Sequence, residues 1–147
     1  MSYDIIFIGG GPAGYEGAIA AGKKGLKVAV VEMDKPGGTC LQRGCVPSKA
    51  LLPTVKFIKQ IKTFAKAGIK VDDYTIDIEA IAKQKNRVVN KLTKGIESLF
   101  KKYKVEMIKG KGKVTAPDTV AVTSDDNETT ELKSKHTVTN PAAPGPP

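Results

Sequence analysis

One short stretch limits the possible folds of this chain more than any other. Ile5 to Ile8 is apolar and largely β-branched, and it breaks at once into Gly9-Gly10-Gly11-Pro12. Such a run reads as a buried strand that stops at a tight turn. From Ala13 to Lys24, the small residues Ala13, Gly14, Gly17, Ala18 and Ala21 line a helix face able to approach a sheet closely. Gly25 ends that helix, and Val28-Ala29-Val30-Val31-Glu32 reads as a second strand. Strand, helix and strand together take about 30 residues, the length of a βαβ unit. The expectation is an α/β fold on a parallel sheet.

Gly9-x-Gly11-x-x-Gly14 falls on that unit where nucleotide chemistry needs it. Gly9 permits the tight turn, Gly11 lets the backbone approach a pyrophosphate with no Cβ between, and Gly14 allows close helix–sheet contact. The helix start, with Pro12 and Ala13 in its first turn, offers free amides and a positive dipole end to phosphates. Glu32 closes the second strand, placed to accept hydrogen bonds from ribose hydroxyls, and Met33 follows it. Gly9, Gly11, Pro12, Ala13, Gly14, Glu32 and Met33 are therefore candidate cofactor contacts. The competing reading is a plain βα connector with Glu32 as a solvated strand end. The turn itself serves FAD and NAD alike.

Downstream, Gly37 to Cys45 is a glycine-rich connector. Val46 to Ala67 carries a helical stripe at Leu51, Leu52, Val55, Ile58, Ile61 and Phe64. Pro53 should kink or restart that helix, since proline removes an amide donor and clashes with the preceding turn. Asp77 reads as the N-cap of a long helix to Lys102, with Ile78, Ile81, Val88, Leu92, Ile96 and Leu99 on its buried face. The period then shortens to that of strands. Val105 to Ile108, Gly112 to Thr115, Thr119 to Thr123 and Thr129 to Leu132 are expected as short strands, with His136 to Thr139 as a last one. Residues 1–139 thus form one domain, and the proline-rich run 140–147 is expected as a disordered tail.

Charge and composition exclude some function classes. The formal net charge of +9 comes almost wholly from scattered lysines, because Arg43 and Arg87 are the only arginines. Aromatics do not interleave with a basic patch, so the lysines read as solvated surface and no nucleic-acid partner is expected. No apolar run approaches the roughly 20 residues of a membrane span, so no membrane partner is expected. Met1-Ser2-Tyr3-Asp4 leads straight into the first strand without a signal or presequence pattern, which gives a cytoplasmic expectation.

Two cysteines in such a compartment point to catalysis or redox sensing more than to structural crosslinking. Cys40 and Cys45 stand five positions apart in Gly37-Gly38-Thr39-Cys40-Leu41-Gln42-Arg43-Gly44-Cys45-Val46-Pro47-Ser48-Lys49. A regular helix would separate them by about 7.5 Å of rise, whereas a disulfide needs Cα atoms about 4.4–6.8 Å apart. They can bond only if the first turn is distorted, and Gly44 with Gly37-Gly38 supplies that freedom. Two reduced cysteines acting as small hydrophobes are the alternative. A metal site is not expected, because two cysteines and one histidine are too few ligands for zinc.

At these residues the chain resembles the pyridine nucleotide-disulfide oxidoreductases of the glutathione reductase type. Within them, Cys40-Leu41 and Gly44-Cys45-Val46-Pro47-Ser48-Lys49-Ala50-Leu51-Leu52 resemble the branch that oxidises dihydrolipoamide. Glutathione reductases usually carry Lys where Ser48 stands, and mercuric reductases share the Pro-Ser-Lys. The resemblance implies a Rossmann-like FAD-binding domain with a long helical insertion and a small antiparallel β-meander. It implies that the glycine loop binds FAD, with NAD used by the full-length parent. Cys45 would face the flavin, Cys40 would exchange with the dithiol substrate, and Lys49 would lie near the flavin. Gly38 and Thr39 would belong to the loop lining the flavin, and Lys111-Gly112 to the segment beside the adenine. The implied partners are dihydrolipoamide on a lipoyl carrier domain of a 2-oxoacid dehydrogenase or glycine cleavage complex, and a second copy in a full-length homodimer.

The family pattern is broken at one place. Where the family has an Ala-Thr-Gly turn after the last strand, this chain has Asn140-Pro141-Ala142. No second glycine fingerprint follows, and His136 reads as a surface histidine, not the family's catalytic one. The chain is thus expected to be a truncated segment, inactive alone. Three classes stay open: the first domain of an enzyme, a nucleotide-binding module without turnover, and a small thiol–disulfide protein.

Overall fold

The computed structural model describes residues 2–69 and 71–140. The elements run β1 (Ser2–Ile8), α1 (Pro12–Lys23), β2 (Val28–Glu32), α2 (Gly38–Gln42), α3 (Cys45–Ala65), α4 (Ile78–Lys102), β3 (Glu106–Lys109), β4 (Lys111–Ala116), β5 (Thr119–Thr123) and β6 (Thr129–Thr139). One sheet has the order β3-β2-β1-β6-β5-β4. β1 pairs in parallel with β2 and with β6, and β2 pairs in parallel with β3. The pairings of β4 with β5 and of β5 with β6 are antiparallel. This is a Rossmann-like α/β fold with a helical insertion between β2 and β3.

Alternation along the strands sorts their side chains onto two faces. Val28 and Val30 join Phe7, Ala18, Ile19, Ile96 and Phe100 in the core beneath α1 and α4. Ala29 and Val31 join Tyr3, Ile6, Val120, Val122 and Leu132 on the other face. That second layer exists because the sheet curls. In a flat sheet, strands lie about 4.8 Å apart, so β4 would stand well away from β1. Instead, a Cβ at Gly112 would lie 3.0 Å from an Ile8 side-chain carbon and 3.1 Å from one of Val31. The meander folds over the strands that hold the glycine loop.

Four sequence expectations need correction. Thr129–Leu132 and His136–Thr139 are one strand, β6, which pairs with β5 through Lys133 and with β1 from Ser2 onward. Part of the Gly37–Cys45 connector folds into the short helix α2. α3 runs through Pro53 without interruption. The carbonyl that loses its partner there belongs to Lys49, which is exposed, so water can serve it. Lastly, α4 buries Val89, Thr93, Ile96 and Phe100, while Ile78, Val88, Leu92 and Leu99 are exposed. A polar Thr93 holds the buried stripe because its hydroxyl donates to the Val89 carbonyl at 3.0 Å and accepts from Gln42 at 2.9 Å. The N-cap expectation is met, with Asp77 Oδ1 accepting from the Ala80 amide at 2.9 Å. Asn140 packs beside β1, and the rest of the expected tail, 141–147, lies outside the described residues.

Candidate functional site

The site forms at the carboxyl ends of β1 and β2. β1 has β2 on one side and β6 on the other, and a crevice opens at such a point where strand order reverses. Gly9 leaves β1 at φ +101°, with its amide donating to the Val31 carbonyl at 2.8 Å. A Cβ on Gly9 would come within 2.3 Å of the Asn140 carbonyl oxygen, and one on Gly14 within 1.9 Å of the Gly9 carbonyl oxygen. Neither position admits a side chain without moving backbone. Gly11 has an ordinary φ of −68° and caps α1, with no side chain closing the helix start. A Cβ there would meet only Asn140 Nδ2, at 3.1 Å, and no backbone, so glycine leaves the first amides of the helix accessible.

Glu32 ties the loop down. Its Oε2 accepts from the Gly10 amide at 2.7 Å and its Oε1 from the Asp34 amide at 2.9 Å. A carboxylate has about four acceptor positions, so each oxygen keeps one for a ligand hydroxyl. The carboxylate expected to contact ribose is thus also a brace for the glycine loop.

The cysteine segment is fastened to the same loop. The Gly37 amide donates to the Gly10 carbonyl at 2.7 Å. Gly38, at φ +62°, lies so close that a Cβ would stand 2.7 Å from the Gly11 Cα. Two glycines in contact bring α2, and Cys40 with it, onto the nucleotide loop. Gln42 Nε2 anchors the far end of α2 through the Pro36 carbonyl at 2.8 Å and Thr93.

Gly44, at φ −119° and ψ −108°, then breaks the helix so that α3 starts at Cys45. A Cβ on Gly44 would lie 3.1 Å from the Thr39 carbonyl oxygen, so the two helices meet through a glycine. Both cysteines are free thiols, Cys40 half-buried and Cys45 exposed. A hydrogen bond with Cys45, and after it burial, pushes the Cys40 thiol above the ordinary range, while the Lys49 ammonium opposes the shift. The Cys45 thiol therefore influences the titration of Cys40.

One cavity of about 360 Å³ collects most of these groups. Gly9, Gly11, Pro12, Glu32, Met33, Gly38, Thr39, Cys40, Lys111 and Gly112 line it. Ala13, Gly14, Cys45 and Lys49 are not on its wall: Gly14 is buried behind Gly9, and Lys49 and Cys45 begin the exposed α3. His136 is exposed on β6 opposite Ile5, outside the cavity. The lining also includes residues that sequence reasoning missed, namely Asp34, Arg43, Gln42, Gly110 and Asn140. Arg43 Nη2 and Asp34 Oδ2 pair at 2.5 Å across the cavity edge. Arg43 stood inside the cysteine motif, but nothing in local spacing points from it to Asp34. Among the described residues no cluster of His, Cys, Asp and Glu could hold a metal ion.

Comparison with known proteins agrees with this geometry. Residues 3–139 match the pyridine nucleotide-disulphide oxidoreductase family. The chain is 43% identical over 138 residues to the dihydrolipoyl dehydrogenase of Chlamydia pneumoniae, covering 94% of the chain and 30% of that protein. It is 44% identical over 137 residues to the mitochondrial dihydrolipoyl dehydrogenase of Pisum sativum, covering 92% and 27%. The leghemoglobin reductase of Vigna unguiculata is 45% identical over 137 residues, covering 92% and 26%. The chain therefore spans less than a third of the length of these relatives. A glycine loop braced by a strand-end carboxylate and joined by paired glycines to the helix that carries Cys40 fits the match: this chain belongs to the pyridine nucleotide-disulphide oxidoreductase family.

Proposed function

We propose that this chain is the FAD-binding, disulfide-bearing domain of a flavoenzyme that oxidises dihydrolipoamide with NAD⁺ as acceptor. The observation that carries the reading is the shared cavity onto which Gly11, Glu32 and Cys40 all open. A nucleotide loop and a thiol share a wall usefully when one ligand spans both. The dihydrolipoyl dehydrogenases among the relatives support the choice of substrate.

The residues present fit FAD. Gly11 leaves the helix start accessible, α1 opens there without a side-chain cap, and Glu32 keeps acceptor positions for ribose hydroxyls. Lys111 and Gly112, on the same wall, would take the adenine end. When bound, FAD supplies acceptance of an electron pair from a thiol for delivery to NAD⁺.

The thiol exchange belongs to the chain itself. One substrate thiolate attacks the Cys40 sulfur of the oxidised pair. The Cys40–Cys45 bond breaks, and its electron pair leaves on Cys45. The second substrate thiol loses its proton to solvent and attacks the sulfur bound to Cys40, closing the substrate disulfide and releasing Cys40 as a thiolate. Lys49, whose charge reaches Cys40, favours the anionic form. The whole protein would take its dithiol from a lipoyl carrier domain of a 2-oxoacid dehydrogenase or glycine cleavage complex, in the cytoplasm, and would act as a homodimer. Residues 1–147 by themselves would not turn over, since no second glycine fingerprint for NAD⁺ follows the first.

Equilibrium dialysis with FAD tests the reading. The purified chain should bind FAD weakly, and Glu32→Ala should weaken binding by roughly 1.5–3 kcal/mol. Alkylation and mass spectrometry of the air-oxidised, folded protein should find one intramolecular Cys40–Cys45 disulfide. Failure to bind FAD, or two freely alkylated thiols, would sink the corresponding half of the proposal.

A further inference from the structure

We infer that Asn140 is a further ligand for the pyrophosphate at this site, donating from its side-chain amide beside Gly11. The inference rests on the FAD reading above and adds a residue to it.

The end of β6 places Asn140 against the glycine loop by two backbone contacts. Its amide donates to the Ile8 carbonyl at 2.8 Å, and its own carbonyl oxygen lies 2.3 Å from where a Gly9 Cβ would be. These fix the residue without using its side chain. Nδ2 then stands 3.1 Å from the Cβ position of Gly11 and 3.8 Å from that of Gly14. Asn140 is half-buried and lines the cavity, and its side-chain amide has no hydrogen-bond partner among the described residues.

The loop has reason to recruit such a donor. The Gly9 amide is committed to the Val31 carbonyl, the Gly10 amide to the Glu32 carboxylate, and Pro12 has no amide at all. Within the loop that leaves the Gly11 amide alone, so further donors for a phosphate come from the first turn of α1 or from outside the loop. An Asn side-chain amide offers two N–H groups, and this one is held next to the glycine whose missing Cβ leaves room for phosphate.

The test is the binding of FAD, ADP and adenosine to the full 147-residue chain and to two variants, followed by equilibrium dialysis, with circular dichroism as the check on folding. Asn140→Ala should weaken FAD and ADP in parallel, by about tenfold for one lost hydrogen bond to a charged group. Asn140→Asp, equal in size, should weaken them at least as much and more steeply at low salt, because a carboxylate then faces phosphate. Adenosine, which has no phosphate, should bind all three proteins alike. If Asn140→Ala binds FAD and ADP as well as the unaltered chain, the inference fails. Tighter binding would also overturn it, by showing that the side chain plugs the phosphate position. If the unaltered chain binds ADP and adenosine equally, the phosphate contact is refuted while nucleotide binding stands. If it binds none of the three, the FAD reading falls and this inference with it.

Discussion

The β1–α1–β2 unit and the α3–α4 insertion use their apolar residues differently. In the first, Val28, Ala29, Val30 and Val31 of β2 are all buried, and α1 buries Gly14, Ala18 and Ile19. Gly17 lies so close to Phe7 that a Cβ would meet its ring at 2.7 Å. By contrast α3 buries no side chain completely, and Leu52, Val55, Phe57 and Phe64 are exposed. The insertion is held mainly by one stripe of α4 and by Gln42. The difference shows where the chain concentrates its packing: on the unit that shapes the glycine loop, which tolerates little displacement if the loop is to keep its form.

Replacing one phenylalanine in each region tests that contrast most strongly. Phe7→Ala should cost about 3–5 kcal/mol of stability in urea unfolding, as expected for a buried aromatic. Phe57→Ala should stay within about 0.5 kcal/mol, because its side chain is 64% exposed. Equal losses would mean that the insertion is as firmly packed as the nucleotide unit.

A pair of glycines sharpens the same point. In Gly14→Ala the new Cβ has to displace the Gly9 carbonyl from 1.9 Å. The expected cost is about 1–3 kcal/mol of strain, together with loss of FAD binding in dialysis. Gly95→Ala, in the middle of α4 with nothing within 4 Å, should instead raise stability by about 0.8–1.0 kcal/mol. A destabilised Gly95→Ala protein would reveal a close approach on that helix face.

A pH dependence is expected in the alkaline range. Burial, and then a hydrogen bond to Glu106 at 2.8 Å, push the Tyr3 hydroxyl from 10.0 up to about 12. The folded protein holds that proton more tightly than the unfolded chain. Its contribution to stability is therefore complete below pH 10.0 and is lost as pH rises through about 12. Tyr3→Phe should flatten the stability profile in that window, and an unchanged slope would show that the hydroxyl does not titrate as argued.

The parts legible in the sequence share one property, which is that neighbours in the chain decide them. The glycine loop follows from a left-handed backbone at Gly9 that favours glycine, and the N-cap at Asp77 from a side chain that accepts from an amide three residues on. The misread parts depend on distant partners. α4 carries two adjacent apolar stripes, and the one that is buried is set by Phe7, Val28 and Val30 across the sheet. Periodicity alone does not choose between them.

By itself, then, the sequence determined a strand–glycine loop–helix–strand unit and two cysteines flanked by glycines. Tertiary structure decided that β6 serves two neighbours, that the meander curls over the sheet, and that Asn140 reaches Gly11. It also decided that Glu32 braces Gly10 while facing the cavity. The physical reason is the reach of the interactions. Backbone torsions and caps act over a few residues, whereas strand pairing and side-chain packing join segments that only the folded chain brings within a few ångströms of each other.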